Sequence, residues 1–449
     1  MKSNAIHIVR RLRKAGFQAY LVGGCVRDLV MGVRPKDYDV ATDARPEEVQ
    51  AVFPKTIPVG ARFGVVIVRR RGRNYEVATF RKEHGYSDGR RPDVVVYGTA
   101  REDVRRRDFT VNGLFYDPIA KRVIDYVGGV KDIERKVIRA IGDAEERFAE
   151  DKLRMLRAAR FANRLGFRIE KKTAEAVRRH AAEIAQVSQE RVRDEIAKIL
   201  TGPAPGPGIR LLDDLGLLAT ALPEIKALQG VAQPPQFHPE GDVYTHTLLM
   251  LDALHNPPLE LALGALLHDV GKPLTFTPPK DPTDRIRFDR HTVVGEEMTR
   301  HILRRLRFPT ETVTLVAAIV REHLRFMDVP KMKESTLKRF LRVERFDLHL
   351  QVHRLDCTSS HGDLSTWRFC RARLKALKKE GAEQVLRPQP LVNGNDLIEM
   401  GLTPGPIFRK ILTAIEDAQL EGKIKDRTQA LALARELGKS SSPPDVQAV

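Results

Sequence analysis

Apolar and polar positions alternate in short runs through the first third of the chain. Over most of the remainder, apolar positions recur at helical spacing. Residues 17–24 (FQAYLVGG), 36–42 (KDYDVAT), 63–70 (FGVVIVRR), 74–80 (NYEVATF) and 123–129 (VIDYVGG) read as strands, separated by Gly, Pro, Asp and charged clusters. The opening MKSNAIHIVRRLRKAG is basic and amphipathic. It lacks the Ser-rich character of a transit peptide and leads into an apolar strand, so it reads as the first helix of the fold. From about residue 136 the pattern is helical. DKLRMLRAARFANRLGF places Arg between apolar residues at helical spacing, and SQERVRDEIAKIL (188–200) reads as a helix with Ser188 as N-cap. TGPAPGPG (201–208) concentrates helix breakers and reads as the clearest boundary. A polar loop (277–290) interrupts the later helices, and the terminal SSSPPDVQAV reads as disordered. No internal repeat is visible.

Within the alternating part, Asp37 and Asp39 occupy KDYDV. Residues i and i+2 of a strand face the same way, so both carboxylates are able to grip one metal cluster. Two divalent cations about 3.5–4 Å apart serve phosphoryl transfer, and hard, hydrated Mg²⁺ suits carboxylate oxygens. Glu76, in the neighbouring strand, is a third carboxylate candidate. AYLVGGCVRD puts Gly23 and Gly24 between a strand and a helix, where glycines permit close backbone approach and a helix start attracts phosphate; Arg27 and Asp28 follow. RRRDFTVNGL supplies Arg106, Arg107, Asp108 and Asn112: arginines suit a triphosphate, Asp and Asn a ribose hydroxyl. In EDKLR, Glu150 precedes Asp151 and Arg154, which are three apart on an expected helix and share a face. A carboxylate acceptor beside a guanidinium donor matches the Watson–Crick edges of C and A and mismatches those of U and G.

A second constellation lies in the helical part. His246 begins one helix, His268 and Asp269 end another, His291 opens a third, His323 closes a fourth, and Asp356 follows. An ordered H…HD…H…H…D series suits Mn, Ni, Co, Fe or Mg and water activation. Lys272, just after HDVG, is placed to stabilise a phosphate.

Charge and cysteine content narrow the partners. A net charge of +18 on 449 residues points to a polyanion, with nucleic acid the first candidate. The length suggests roughly three domains. Cys25, Cys357 and Cys370 are odd in number and far apart, which argues against a disulfide framework and a thiolate zinc site and fits a reducing cytoplasm. The longest apolar runs are too short to span a bilayer.

GGCVRD…KDYDV, RRDFTVNG, DYVGG and EDKLR occur in this order and spacing, followed by SQERVRDE and LLDDLGLLATALPEI. The set resembles the class II tRNA nucleotidyltransferase and bacterial poly(A) polymerase family over about residues 18–225. That resemblance implies an α+β, polymerase-beta-like nucleotidyltransferase head over 1–135 and a mostly α-helical neck over 136–225. It implies that Asp37 and Asp39 bind metal, that Arg107 and Asp108 contact the nucleotide, and that Asp151 and Arg154 template the base. RKEHGYSDGRRP (81–92) resembles the family's flexible loop, associated with adding the final A. The histidine series resembles the HD phosphohydrolase superfamily, implying an HD domain over 226–375 and a helical tail over 376–449. The expected function is CCA addition to tRNA from CTP and ATP, with neither membrane nor DNA as partner and a second, hydrolytic activity of the HD domain. The alternatives are a poly(A) polymerase or A-adding enzyme with the same head, and an HD phosphohydrolase of RNA 3′ ends carrying a non-catalytic head.

Overall fold

The computed structural model of the chain describes residues 1–58, 64–84, 94–281, 283–379 and 385–439. No described helix is long and apolar enough to cross a membrane. The chain divides into two compact units. One holds residues 1–229, 251–262 and 302–308; the other holds 230–250, 263–301 and 309–449.

The first unit is built on a seven-stranded sheet of β1 (Ala19–Val22), β2 (Asp39–Thr42), β3 (Thr56–Ile57), β4 (Val65–Arg70), β5 (Arg73–Thr79), β8 (Leu114–Asp117) and β9 (Arg122–Asp125). Their order is β3-β4-β5-β2-β1-β8-β9. β2 and β5 run parallel, with Val40 opposite Val77, while β1 pairs antiparallel with both β2 and β8. Strand alternation sends Val40 and Val77 into the core and leaves Asp39 and Glu76 side by side on the opposite face. A separate pair, β6 (Arg81–His84) and β7 (Val94–Tyr97), flanks the expected flexible loop, whose residues 85–92 lie outside the described set. Val22, Ala41, Phe80, Val104, Phe115 and Ile141 pack as one core cluster beneath the sheet's central strands.

Helices follow. Leu153–Leu165 is buried over most of its length and ends on Gly166 in the left-handed conformation (φ 65°), a residue type suited to that cap. Gln189–Leu200 packs against it, with Ser188 at the N-cap but no side-chain cap hydrogen bond. The breaker-rich 201–208 segment is not a linker between the compact units. Pro205 starts the helix Pro205–Asp214, where its missing N–H costs nothing. Gly208 allows close packing: a Cβ there would lie 2.4 Å from Ile199 Cγ2 and 2.7 Å from Asn163 Nδ2. Among its described residues the second unit has no strands beyond the short pair β12 (Phe276–Thr277) and β13 (Arg287–Phe288), and it carries two further core clusters, centred on Phe326–Phe340 and on Leu397–Ile411. β10 (Val137–Ile138) and β11 (Arg168–Ile169) form the remaining two-stranded pair, in the first unit. The expected disordered tail falls at 440–449, outside the described residues.

Candidate functional site

In the first unit, one cleft of about 460 Å³ is lined by Gly23, Gly24, Arg27, Asp39, Arg107, Asp108, Asn112, Asp151, Arg154, Arg157, Arg160, Phe161 and Arg164. Nine of these were expected from sequence, drawn from segments up to 131 residues apart (23 to 154). Gly23 sits at φ 76°, ψ −136°, a backbone conformation that L side chains rarely adopt, at the turn from β1 into the helix Gly24–Val30. A Cβ there would stand 3.4 Å from Arg107 Nη1, an ordinary contact, so it is the backbone conformation and not lack of space that calls for glycine.

Asp39 begins β2. Asp37 is exposed and lies just before the strand rather than within it, with buried Tyr38 between them. Burial, then the Glu76 carboxylate, push the Asp39 carboxyl up to about 6; Arg107 opposes this and Asp37 adds to it. Asp37 and Glu76 do not line the cleft, but both act on Asp39. The Asp37 and Glu76 carboxylates thus concentrate negative charge on Asp39, an excess that a hard divalent cation relieves.

The polar floor is a chain of charge-assisted bonds. Arg27, buried, donates to Asn112 Oδ1 (2.7 Å) and to Asp28 Oδ1 (2.6 Å). Asn112 Nδ2 donates to Asp108 Oδ1 (3.1 Å), and Asp108 Oδ2 accepts from Arg157 Nη2 (2.6 Å) and Nε (3.0 Å). Burial works against ionising Asp108, yet the Arg157 guanidinium holds its carboxyl below the usual range. Arg107 is held by Asp103 Oδ2 at 2.9 Å.

Asp151 and Arg154 reach the same cleft but not as expected. Asp151 is in extended backbone between the helices Ala144–Glu150 and Leu153–Leu165, so only Arg154 is helical. Their side chains do not pair with each other, although the Arg154 N–H donates to the Asp151 carbonyl at 3.0 Å. Arg154 Nη1 bonds Glu150 Oε2 (2.6 Å) and its Nη2 bonds the Arg106 carbonyl (3.0 Å); Asp151 Oδ2 accepts from Arg191 Nη2 (2.8 Å). Arg157, Arg160 and Arg164 were not anticipated, although the three- and four-residue spacings that continue from Arg154 along RMLRAARFANR would have placed them on its face.

The second unit gathers the whole histidine series. His291 Nε2 and His323 Nε2 lie 3.5 and 3.6 Å from Asp269 Oδ1, and His268 Nε2 lies 3.1 Å from Asp269 Oδ2. His246 Nε2 is 3.1 Å from Asp356 Oδ1. The opposite ring nitrogens are all engaged: His268 Nδ1 with the Ala265 carbonyl (2.9 Å), His291 Nδ1 with Phe288 (2.8 Å), His323 Nδ1 with Val320 (2.7 Å) and His246 Nδ1 with Glu240 (2.6 Å). With Nδ1 as donor, Nε2 of His268, His291 and His323 presents a lone pair to the centre, whereas hydrogen bonds to Asp356 and Glu240 outweigh burial and raise His246 to about 9, so that a cation arriving there displaces the Nε2 proton. His246 Nε2 and His268 Nε2 are buried without a hydrogen-bond partner. Four imidazole lone pairs and two carboxylates fit a divalent cation. Burial drives His323 down to about 3, which keeps it neutral and ligand-competent. Lys272 Nζ bonds Asp269 Oδ2 and Gln233 Oε1, both at 2.6 Å.

A mixed sheet with a Gly-Gly turn, paired carboxylates at one strand and an arginine-lined cleft define a polymerase-type head, here in a chain that also carries an HD centre. Models of the "Poly A polymerase head domain", the "Probable RNA and SrmB- binding site of polymerase A" and the "HD domain" match residues 19–139, 166–229 and 242–352. The CCA-adding enzyme of Limosilactobacillus fermentum is 32% identical over 435 residues, covering 95% of this chain and 94% of that one. This chain therefore belongs to the CCA-adding enzyme family. The CCA-adding enzyme of Geobacillus kaustophilus is 46% identical over 216 residues, covering 48% of this chain and 53% of its own length. The chain thus spans about half the length of several relatives it matches, the Geobacillus enzymes among them. The crystal structure of the Bacillus stearothermophilus CCA-adding enzyme in complex with CTP superposes with a TM-score of 0.72 at 29% identity, covering 98% of both chains.

Proposed function

We propose that this chain is a cytoplasmic tRNA nucleotidyltransferase that adds or repairs the 3′-terminal CCA from CTP and ATP without a nucleic-acid template. Its head spans 1–135, its neck 136–225, its HD domain 226–375 and its tail 376–449. The observation that carries this reading is the single cleft in which the glycine turn, Asp39, the Arg107–Asn112 segment and the Asp151–Arg154 segment meet. Similarity along nearly the whole chain to a CCA-adding enzyme supports CCA addition over poly(A) synthesis.

Asp37 and Asp39, with Glu76 beside them, would hold Mg²⁺, which supplies activation of the attacking 3′-hydroxyl and charge compensation at the departing pyrophosphate. The Gly23 turn admits phosphate close to the backbone, and Arg107 offers it a guanidinium. Asp108 and Asn112, fixed by Arg157 and Arg27, stand where a ribose hydroxyl is oriented. Asp151 and Arg154 read the base edge. Incubating the protein with tRNA lacking CCA, plus each NTP in turn, tests the reading: C and then A should be added in order, and incorporation of a long A tail would overturn it.

Arg154→Ala should lower kcat/KM for CTP and ATP and relax rejection of UTP and GTP, since part of the mismatch penalty of about 1–3 kcal/mol disappears. Asp151→Ala should relax selection from the amine side. Unchanged ratios for all four nucleotides in both variants would assign base reading to other residues.

The HD centre, in this reading, is a divalent-metal phosphohydrolase acting on RNA 3′ ends, with His246, His268, Asp269, His291, His323 and Asp356 as ligands; Lys272, expected from the sequence to stabilise a phosphate, is instead buried against Asp269 and Gln233. His268→Ala combined with Asp269→Ala should remove metal-dependent phosphatase or cyclic phosphodiesterase activity while sparing CCA addition. Absence of hydrolysis by the unsubstituted protein with Mg, Mn, Co or Ni would make the HD domain a structural one.

A further inference from the structure

Three of the four histidines of the HD centre are oriented by backbone carbonyls, those of Ala265, Phe288 and Val320. His246 is the exception. Its Nδ1 meets a carboxylate oxygen, Glu240 Oε1, at 2.6 Å. Glu240 stands outside the H…HD…H…H…D series, in the loop before the helix Val243–Asp252. Its side chain is 9% exposed. The same Oε1 lies 2.9 Å from His238 Nδ1, and the His238 and His246 rings meet edge to face at 4.9 Å. Oε2 of Glu240 is buried without a hydrogen-bond partner, so the two histidine contacts both fall on one oxygen.

We propose that Glu240 is a positioning residue of the HD centre: it fixes the His246 tautomer with Nδ1 as donor, aims Nε2 at the cation and strengthens it as a ligand, with His238 holding the carboxylate in place. This inference rests on the reading of the HD centre as a divalent-metal site. The physical basis is general. A buried carboxylate that accepts from the far nitrogen of an imidazole excludes the wrong tautomer and increases the electron density at the ligating nitrogen, more than a neutral carbonyl does. An orienting carboxylate of this kind typically changes metal affinity by about 10–100-fold when removed. His246 also has the most to gain, because the Asp356 oxygen 3.1 Å from its Nε2 would compete for a proton on that nitrogen if the tautomer reversed. Glu240 thereby commits His246 to the cation.

Cobalt(II) binding to the full chain, followed by its visible absorption and by competition with a chelator, tests the proposal without depending on turnover. Glu240→Gln retains shape and an acceptor but loses the charge, and Glu240→Ala loses both. Affinity should fall by roughly tenfold in the first and by up to about a hundredfold in the second, with an altered cobalt spectrum at saturation. His238→Asn should give a smaller loss. Undiminished CCA addition and an unchanged circular dichroism spectrum in each variant would show that the fold is intact. Glu240→Gln and Glu240→Ala both binding cobalt within twofold of the unsubstituted protein would overturn the proposal. Asp269→Ala is the separate control: if it binds cobalt as the unsubstituted protein does, the metal-site reading itself fails, whatever the Glu240 variants do.

Discussion

Asp39→Asn should abolish transfer of both C and A to tRNA while leaving tRNA binding nearly intact. The expected loss is at least a thousandfold. Charge compensation by a two-cation clamp contributes several kcal/mol in the transition state, and about 4 kcal/mol is roughly a thousandfold in rate. Asp39 is the one of the three clustered carboxylates that lines the cleft, and burial plus Glu76 raise its carboxyl to about 6. That raised value has a stability consequence of definite sign. The folded state binds the proton more tightly than the unfolded chain does, so stability falls as pH climbs from the ordinary carboxylate range through about 6. In metal-free buffer at neutral pH, Asp39→Asn should therefore unfold at a higher temperature than the unsubstituted protein while being inactive. Transfer within tenfold of normal under single-turnover conditions would remove Asp39 from the catalytic machinery.

Glu195→Ala should produce the largest loss of stability. Glu195 Oε2 accepts from Arg160 Nε at 2.5 Å, with the two side chains 3% and 8% exposed. Arg160 comes from Leu153–Leu165 and Glu195 from Gln189–Leu200, so the pair bolts the two neck helices together. Removing the carboxylate leaves a largely buried guanidinium without its partner, which costs about 3–5 kcal/mol. Arg160 also lines the cleft, so nucleotide transfer should weaken in the same variant. Urea unfolding measures the effect, and a loss under about 1 kcal/mol would mean that Arg160 finds water or another acceptor.

What could be read from the bare sequence follows from how local each signal is. The Gly23-Gly24 turn is written in contiguous residues and the histidine series in a fixed order, so both were legible as patterns before packing of separate helices brought His246, His268, His291 and His323 together. Asp151 and Arg154 illustrate the opposite case. Three-residue spacing suggested one helical face, but the chain is extended at Asp151, whose partner Arg191 lies 40 residues away, while Arg154 bonds Glu150 four residues back and the Arg106 carbonyl 48 residues away. Arg157 with Asp108, 49 apart, is likewise a product of tertiary packing. The 201–208 segment misled for a different reason. Pro and Gly break helices in general, yet Pro at a helix start and Gly at a tight crossing are both ways of building one.

The cleft's arginines have a bearing on how a nucleotide would come and go. Arg27, Arg107, Arg154, Arg157 and Arg160 each hold a carboxylate already, from Asp28, Asp103, Glu150, Asp108 and Glu195. In the proposed reaction, a triphosphate entering this cleft meets, at those five positions, guanidinium groups whose charge is already partly compensated. Their contribution to its affinity is therefore offset by the carboxylates they hold. The same carboxylates keep those arginines in place when the pyrophosphate has left.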